Sequence, residues 1–143
     1  MSGYVADASV AVKWYVPEIH SDEALRLLEP GNELHVPDLM LAEVGNILWK
    51  KARHAEISSA QARRIARALL AAPLHVHATA PLLDGALDLA LRADRTVYDG
   101  LYVALAVALD IPLVTADRRL FHALERSAFG RHVTWVEDVP KAG

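Results

Sequence analysis

The chain has 143 residues with a formal net charge of −3, and 53% of its residues are hydrophobic while 23% are charged. This length predicts one domain over residues 1–143, large enough to bury about two-thirds of the surface that the unfolded chain exposes. The composition excludes a disordered chain, the lack of cysteine excludes disulfides and thiolate zinc sites, and the negative charge excludes a protein that coats nucleic acid through overall positive charge.

Predicted strands alternate with predicted helices along the chain. Short apolar, partly β-branched runs bounded by Pro, Gly or Asp predict the strands. They are Tyr4–Ala6, Leu34–Val36, Leu74–Val76, Leu113–Val114 and Val133–Val136. Helical periodicity predicts helices at about Ala8–Val16, Asp22–Glu29, Leu39–Arg53, Ser59–Leu70, Leu82–Arg92, Asp99–Leu109 and Arg118–Arg126. This alternation predicts an α/β fold with a central, mainly parallel sheet of about five strands flanked by helices.

Targeting and membrane segments are not evident. No basic region precedes an apolar run at the start of the chain, and Asp7 and Lys13 come too early for a signal peptide. The longest uncharged apolar run, Leu101–Leu109, is about half the length of the roughly 20 residues that span a membrane. We therefore expect a cytoplasmic protein outside the membrane, with a loose tail only at Lys141–Gly143.

Two acidic residues directly follow predicted strands. Asp7 comes after the first strand and Asp117 after the fourth, and each precedes a predicted helix. Asp is a preferred N-cap, so capping alone accounts for either residue. The carboxyl ends of parallel strands share one sheet edge, where ligands bind, so the pair also favours a common site. The hydroxyls of Ser9 and Thr115 are expected in the same pocket.

Two further acids stand among apolar residues. Glu43 shares a helical face with Leu39, Met40 and Ile47, where an unpaired charge is rare. Asp99 lies at the front of the most apolar predicted helix. The alternatives are a Glu43 that reaches water or pairs with a lysine, and an Asp99 that only caps its helix.

Convergence of these four carboxylates would require a compensating cation. Their mutual repulsion would raise their pKa values and destabilise the fold. All-oxygen sites suit hard ions such as Mg²⁺, for which Mn²⁺ is the usual substitute. Such sites polarise a phosphoryl group and activate water for in-line displacement. The pattern therefore predicts phosphodiester hydrolysis.

Positive charge is concentrated in one stretch of the chain. Between Lys50 and Arg67 there are six basic residues against a single acid, Glu56. A basic helical hairpin of this kind can hold a phosphate backbone. A solvated helix face is the alternative interpretation.

Four acidic segments of the chain resemble a known family. They are VADAS (Val5–Ser9), PDLMLAEVGN (Pro37–Asn46), VYDGLYVALA (Val97–Ala106) and LVTAD (Leu113–Asp117). In order and spacing they resemble the acidic blocks of PIN-domain ribonucleases, most closely the VapC-type toxins of bacterial and archaeal toxin–antitoxin pairs. The resemblance covers nearly the whole chain. One departure is Gly100, where the family more often has Ala.

This resemblance implies an Mg²⁺-dependent endoribonuclease, with Mn²⁺ as a substitute ion. By position, Asp7 and Asp99 would be the principal metal ligands, and Glu43 and Asp117 would complete the catalytic pocket directly or through water. Thr115 matches a hydroxyl that positions the water or the metal shell. The resemblance also implies a homodimer and inhibition by a VapB-like antitoxin, whose C-terminal segment lies in a groove and blocks the site.

Other side chains are candidates for contacts with RNA or protein partners. The candidates for RNA contact are Ser9, Lys50, Lys51, Arg53 and Arg118. The aromatic candidates for the antitoxin groove or the dimer contact are Trp14, Tyr15 and Trp49, although aromatic residues at helical spacing more often belong to the core.

Several other functions fit less well. A dehalogenase-type phosphatase needs a second Asp where Ser9 stands, a receiver domain needs paired acids before its first helix, and a dinucleotide binder needs a Gly-rich turn after the first strand. His75 and His77 share a strand face, but further clustered ligands are not evident in the sequence. The remaining alternative is a catalytically silent PIN-like module that binds RNA or a partner.

Overall fold

The computed structural model describes residues 2–141, so of the expected loose tail only Lys141 is described, and the last two residues lie outside the described range. One sheet has the order β3-β2-β1-β4-β5, and every neighbouring pair is parallel. Its strands are β1 (Ser2–Ala6), β2 (Asn32–Pro37), β3 (Leu74–His77), β4 (Leu113–Thr115) and β5 (Val133–Trp135). Seven described helices flank this sheet, which confirms the predicted α/β fold.

The helices follow the predicted order with shifted ends. They are α1 (Ala8–Ala11), α2 (Ser21–Leu25), α3 (Leu39–Arg53), α4 (Ser59–Ala71), α5 (Leu83–Ala93), α6 (Val97–Leu109) and α7 (Arg118–Glu125). The first two are shorter than predicted because their last turns tighten into 3₁₀ helices, Val12–Trp14 and Arg26–Leu28. Ser58 and Gln61 form a reciprocal capping box that begins α4.

The start of α6 differs from the sequence-based prediction. The helix begins at Val97, because the Thr96 side chain accepts the backbone N–H of Asp99 and caps the helix. Asp99 therefore lies inside the first turn, and its interpretation as a simple N-cap is wrong. Its carboxylate is free for other contacts. In residues 2–141, no helix combines the length and the apolar character needed to cross a membrane.

Strand β1 lies at the centre of the sheet and directs its carboxyl end to the edge where β4 also ends. Val5 pairs with His35 of β2 and with Leu113 of β4, and Ala6 pairs with Val114. Val5, Ala6 and Val114 are fully buried, as expected for a parallel strand covered on both faces. The residues that follow β1 and β4 in the chain therefore emerge side by side.

Helices α5 and α6 pack closely at Gly100. A Cβ atom added there would lie 2.3 Å from the carbonyl oxygen of Ala86 in α5, a distance that no real contact allows. The structure shows that the missing side chain lets the two helix backbones approach each other, which fixes the start of α6 and thus Asp99 against the domain.

Candidate active site

An open cleft of about 480 Å³ lies at the carboxyl edge of the sheet. Four chain segments supply its acids: Asp7 follows β1, Glu43 lies on α3, Asp99 lies on α6 and Asp117 follows β4. The other lining residues are Ala8, Ser9, Leu39, Ala42, Asn46, Ile47, Tyr98, Tyr102 and Leu120. All four predicted acids thus face one cavity.

Asp7 is the most buried of the four acids, with 5% of its surface exposed. Its Oδ1 accepts the backbone N–H of Val10 at 3.1 Å, so it caps α1, and it also accepts the Ser9 hydroxyl at 2.5 Å. Its Oδ2 accepts the Thr115 hydroxyl at 2.5 Å. Burial raises the pKa of Asp7 to about 6, and the charge of Asp117 adds to the rise, against the three hydrogen bonds. The Asp7 side chain therefore both caps α1 and lines the cleft.

Hydroxyl groups connect the ends of β1 and β4. The Thr115 hydroxyl oxygen accepts the backbone N–H of Asp117 at 3.0 Å, and the Ser9 hydroxyl oxygen accepts that of Ala116 at 3.0 Å. Asp117 in turn accepts two backbone N–H groups at the start of α7, at 3.0 and 3.3 Å. These contacts fix the Asp7 and Asp117 carboxylates relative to each other.

Glu43 is hydrogen-bonded to Tyr102 of α6, a residue that the sequence did not indicate as part of the site. The hydroxyl of Tyr102, which is 2% exposed, donates a hydrogen bond to Glu43 Oε1. Burial raises the pKa of Glu43, the Asp99 charge raises it further, and the Tyr102 hydrogen bond opposes both effects. The spacing of Tyr102, three residues after Asp99 on the same helical face, was the available signal.

Asp99 forms an ion pair with Arg95, a second residue that sequence reasoning missed. Arg95 Nη2 and Nε lie 2.9 Å and 3.1 Å from Asp99 Oδ2. The i,i+4 spacing of the two residues was the signal for this pair. The Arg95 guanidinium therefore partly neutralises the Asp99 carboxylate.

The basic candidates for RNA contact lie outside the lining of the cleft, whereas Ser9 belongs to it. Lys51 pairs with Glu18 at 3.4 Å. The guanidinium of Arg53 lies over the ring of Trp49, and that of Arg118 over the ring of Trp135. Lys50 is exposed. These side chains border other surfaces of α3 and α7.

The aromatic candidates separate into core and surface. Trp14 is buried and donates its indole N–H to the carbonyl of Ala24 at 2.9 Å, so it belongs to the core. Tyr15 is half-buried, and its hydroxyl donates to the carbonyl of Ala68 at 3.4 Å. Trp49 is 54% exposed and is the one of the three available for contact with another molecule.

The donors of the cleft fit a hard divalent cation. Asp117 raises the pKa of Asp7, and Asp99 raises that of Glu43, so negative charge accumulates there. In the described residues, the cleft does not bring three ligand atoms within 4.8 Å of one another. Hard divalent cations take carboxylate oxygens as ligands and can keep bound waters in their remaining positions.

Sequence comparison identifies a matching family model and similar proteins. The PIN domain family model matches residues 4–126. Over 118 residues the chain is 42% identical to Ribonuclease VapC3 of Pyrobaculum aerophilum, and this alignment covers 81% of the chain and 90% of that protein.

Solved structures share the fold. The crystal structure of PAE2754 from Pyrobaculum aerophilum has a TM-score of 0.71 at 29% identity, covering 95% of this chain and 85% of that one. VapBC2 from Rickettsia felis, solved with a DNA fragment from its promoter, has a TM-score of 0.65 at 14% identity, covering 93% and 98%. The second likeness shows the fold alone.

Proposed function

The chain belongs to the PIN-domain family, and we propose that it is an endoribonuclease that acts as the toxin of a toxin–antitoxin pair. The observation that carries this proposal is the gathering of four acids from four separate segments around one cleft at the carboxyl edge of the sheet. A relative with 42% identity is named a ribonuclease, which supports the same activity. The proposed reaction is hydrolysis of RNA phosphodiester bonds.

The proposed cofactor is Mg²⁺, with Mn²⁺ as its substitute. Asp7 and Asp99 would hold the ion, and Glu43 and Asp117 would complete its surroundings directly or through water. When bound, the ion supplies charge neutralisation at the phosphate and a lowered pKa for water. The buried Asp7 is mainly ionised at neutral pH, since its pKa is about 6.

The residues around the acids set their orientation and proton affinity. Thr115 and Ser9 donate to the two oxygens of Asp7 and fix the plane of its carboxylate. Tyr102 occupies Glu43 Oε1, so we assign to Glu43 Oε2 the role of accepting a proton from the attacking water. Its raised pKa makes Glu43 a better proton acceptor at neutral pH than an ordinary glutamate.

The proposed partners are RNA, a VapB-like antitoxin and a second copy of the chain. The positive hairpin formed by α3 and α4 provides the electrostatic surface for RNA, with Lys50, Lys51 and Arg53 next to its turn. Ser9 and Arg118 are proposed contacts near the cleft. The open cleft offers a place for an antitoxin segment to lie against the acids. Catalysis and inhibition would then use the same surface. The proposed location of the protein is the cytoplasm.

Cleavage of total cellular RNA by purified protein free of antitoxin tests the proposal. We expect cuts at defined positions in Mg²⁺ or Mn²⁺, none in EDTA, and a loss of at least a hundredfold in Asp99→Asn. The matched control is Asp84→Asn, because Asp84 is an exposed acid of α5 outside the cleft lining. A folded wild-type protein that cuts nothing would favour a silent binding module.

A further inference from the structure

Four side chains with metal-binding chemistry lie together on strands β2 and β3. Glu33 and His35 stand two residues apart on β2, and His75 and His77 stand two residues apart on β3. In the parallel register His35 pairs with His75 and Pro37 with His77, so the four side chains share one face. The lining of the acidic cleft includes none of these residues.

The distances between their ligand atoms are those of a small coordination site. Glu33 Oε1 lies 3.4 Å from His35 Nε2 and 3.8 Å from His75 Nε2. One ligand atom from each of the three residues lies within 4.8 Å of the other two. Zinc binds imidazole nitrogen at about 2.0–2.1 Å in tetrahedral geometry, which separates the ligand atoms by about 3.3 Å. The ligand atoms therefore need only a small adjustment to share one ion.

His77 contacts His35 at the ring nitrogen that does not face Glu33. Its Nε2 lies 3.0 Å from His35 Nδ1, so the Nδ1 proton of His35 can be donated to it, leaving His35 Nε2 with a free lone pair. A hydrogen bond from the second ring nitrogen is the usual support of a metal-binding histidine. The His35 and His75 rings also stack, with their centroids 4.7 Å apart. These contacts orient both imidazoles before any ion binds.

The surroundings of His35 favour the neutral imidazole, which is the form that binds metal. Burial lowers its pKa, and the neighbouring His75 and His77 lower it further, against the opposing effect of Glu33. The His75 side chain is 59% exposed, so an ion can reach the site from solvent. The cluster therefore has an ordered inner part and an open outer side.

We propose that Glu33, His35 and His75 form a zinc-type transition-metal site that joins the edge strand β3 to β2, with His77 orienting His35. Two imidazoles and one carboxylate favour Zn²⁺ over Mg²⁺, whereas the all-carboxylate cleft favours the harder ion. Water would fill the remaining coordination position. Because Glu33 and His35 come from one strand and His75 from the next, the ion would stabilise the pairing of β3 with the sheet. The site is separate from RNA hydrolysis.

Titration with Zn²⁺ in the presence of excess Mg²⁺, followed by calorimetry and by thermal unfolding, tests this site. Wild type is expected to bind one Zn²⁺ here and to unfold at a higher temperature with zinc than without it. His75→Gln and Glu33→Gln should each weaken this binding at least a hundredfold. His77→Phe, which removes only the supporting nitrogen, should weaken it by about 10- to 100-fold.

Two control variants separate this site from the rest of the chain. His54→Gln replaces an exposed histidine outside the cluster, and Asp99→Asn disables the proposed carboxylate site. Both should bind zinc like wild type, and circular dichroism without zinc should show every variant folded. The proposal is overturned if wild type does not bind zinc, if His75→Gln and Glu33→Gln bind it as wild type does, or if binding disappears in Asp99→Asn. The test does not depend on cleavage of RNA.

Discussion

Asp7 combines two roles that the sequence presented as alternatives. It caps α1 through Val10 and also lies in the cleft, where Thr115 and Ser9 donate to its two oxygens. Capping α1 does not prevent Asp7 from binding in the cleft, because a carboxylate oxygen can accept more than one hydrogen bond. The burial that makes Asp7 useful to a cation is unfavourable to its charge when no cation is present.

This conflict predicts a specific pH dependence of stability. The folded-state pKa of Asp7 is raised from 3.8 to about 6, so its stabilising contribution is complete below about pH 4 and is lost as the pH rises through about 6. Relative to Asp7→Asn, metal-free wild type should lose up to about 3 kcal/mol of unfolding free energy between pH 4 and 7. Urea unfolding in EDTA measures this difference. Identical pH profiles for the two proteins would contradict it.

Tyr102 permits a test of the position and charge of Glu43. Its hydroxyl lowers the pKa of Glu43 against burial, so Tyr102→Phe should raise that pKa further. The same hydrogen bond orients the Glu43 carboxylate, and a hydrogen bond to a charged group contributes about 1.5–3 kcal/mol. Although a higher pKa makes ionised Glu43 a stronger proton acceptor, the loss of this orientation should therefore lower cleavage near neutral pH by about 10- to 100-fold. The acidic limb of the pH–rate profile should move to higher pH. Tyr4→Phe, outside the cleft lining, is the control, and a profile unchanged in Tyr102→Phe would count against the role of Tyr102.

At the scale of the elements, the crossing of α5 and α6 determines where Asp99 lies. Gly100→Ala would place a methyl group against the Ala86 carbonyl oxygen, so the helices must separate. Overpacking of this kind costs about 1–3 kcal/mol, and we expect that loss of stability together with reduced cleavage. Chemical denaturation and RNA cleavage measure the two effects.

Gly85→Ala in α5 is the matched control for this crossing. An added Cβ there would meet Ala104 Cβ at 3.7 Å, an ordinary contact, so the higher helix propensity of Ala should leave stability equal or higher. Equal stability of the Gly100→Ala and wild-type proteins would show that the two helices do not need this close approach.

Most elements were predictable because local patterns determine them. Apolar runs and helical periodicity predicted the strands and helices, including a helix that begins at Ser59, where α4 begins. Asp7 and Asp117 were found because they follow predicted strands, and Glu43 and Asp99 because they stand among apolar residues. The cap at Thr96 and the tight 3₁₀ turns shifted several helix ends, since competing caps and turn types differ little in energy.

The contacts that were missed depend on distances between separate segments. Tyr102 meets Glu43 from another helix, and Gly100 matters only because Ala86 passes close to it. His75 alone did not indicate a metal site, because its partners Glu33 and His35 come from a different strand and join it only through strand register. Periodicity shows which face of an element is apolar but not which residues of two elements meet.

The molecule carries three distinct surfaces that differ in chemistry. The acidic cleft suits a hard cation, the histidine cluster on β2 and β3 suits a transition metal, and the stretch from Lys50 to Arg67 carries the positive charge. Helix α5 adds a fourth surface, because Leu83, Leu87 and Leu91 are exposed at intervals of four residues. This apolar stripe supports the proposed association of two copies of the chain.

The chemical form of the RNA ends distinguishes hydrolysis by water from attack by the ribose 2′-hydroxyl. A purified RNA with one mapped cut would be incubated in Mg²⁺ with wild type, Asp99→Asn or Asp84→Asn, and the new ends would be analysed. If the cleft directs water to the phosphate, wild type and Asp84→Asn leave a linear phosphate on one end and a hydroxyl on the other from the earliest time point, and Asp99→Asn leaves the RNA intact. A 2′,3′-cyclic phosphate at the new end, or an undiminished cut by Asp99→Asn, would contradict attack by water directed from the acidic cleft.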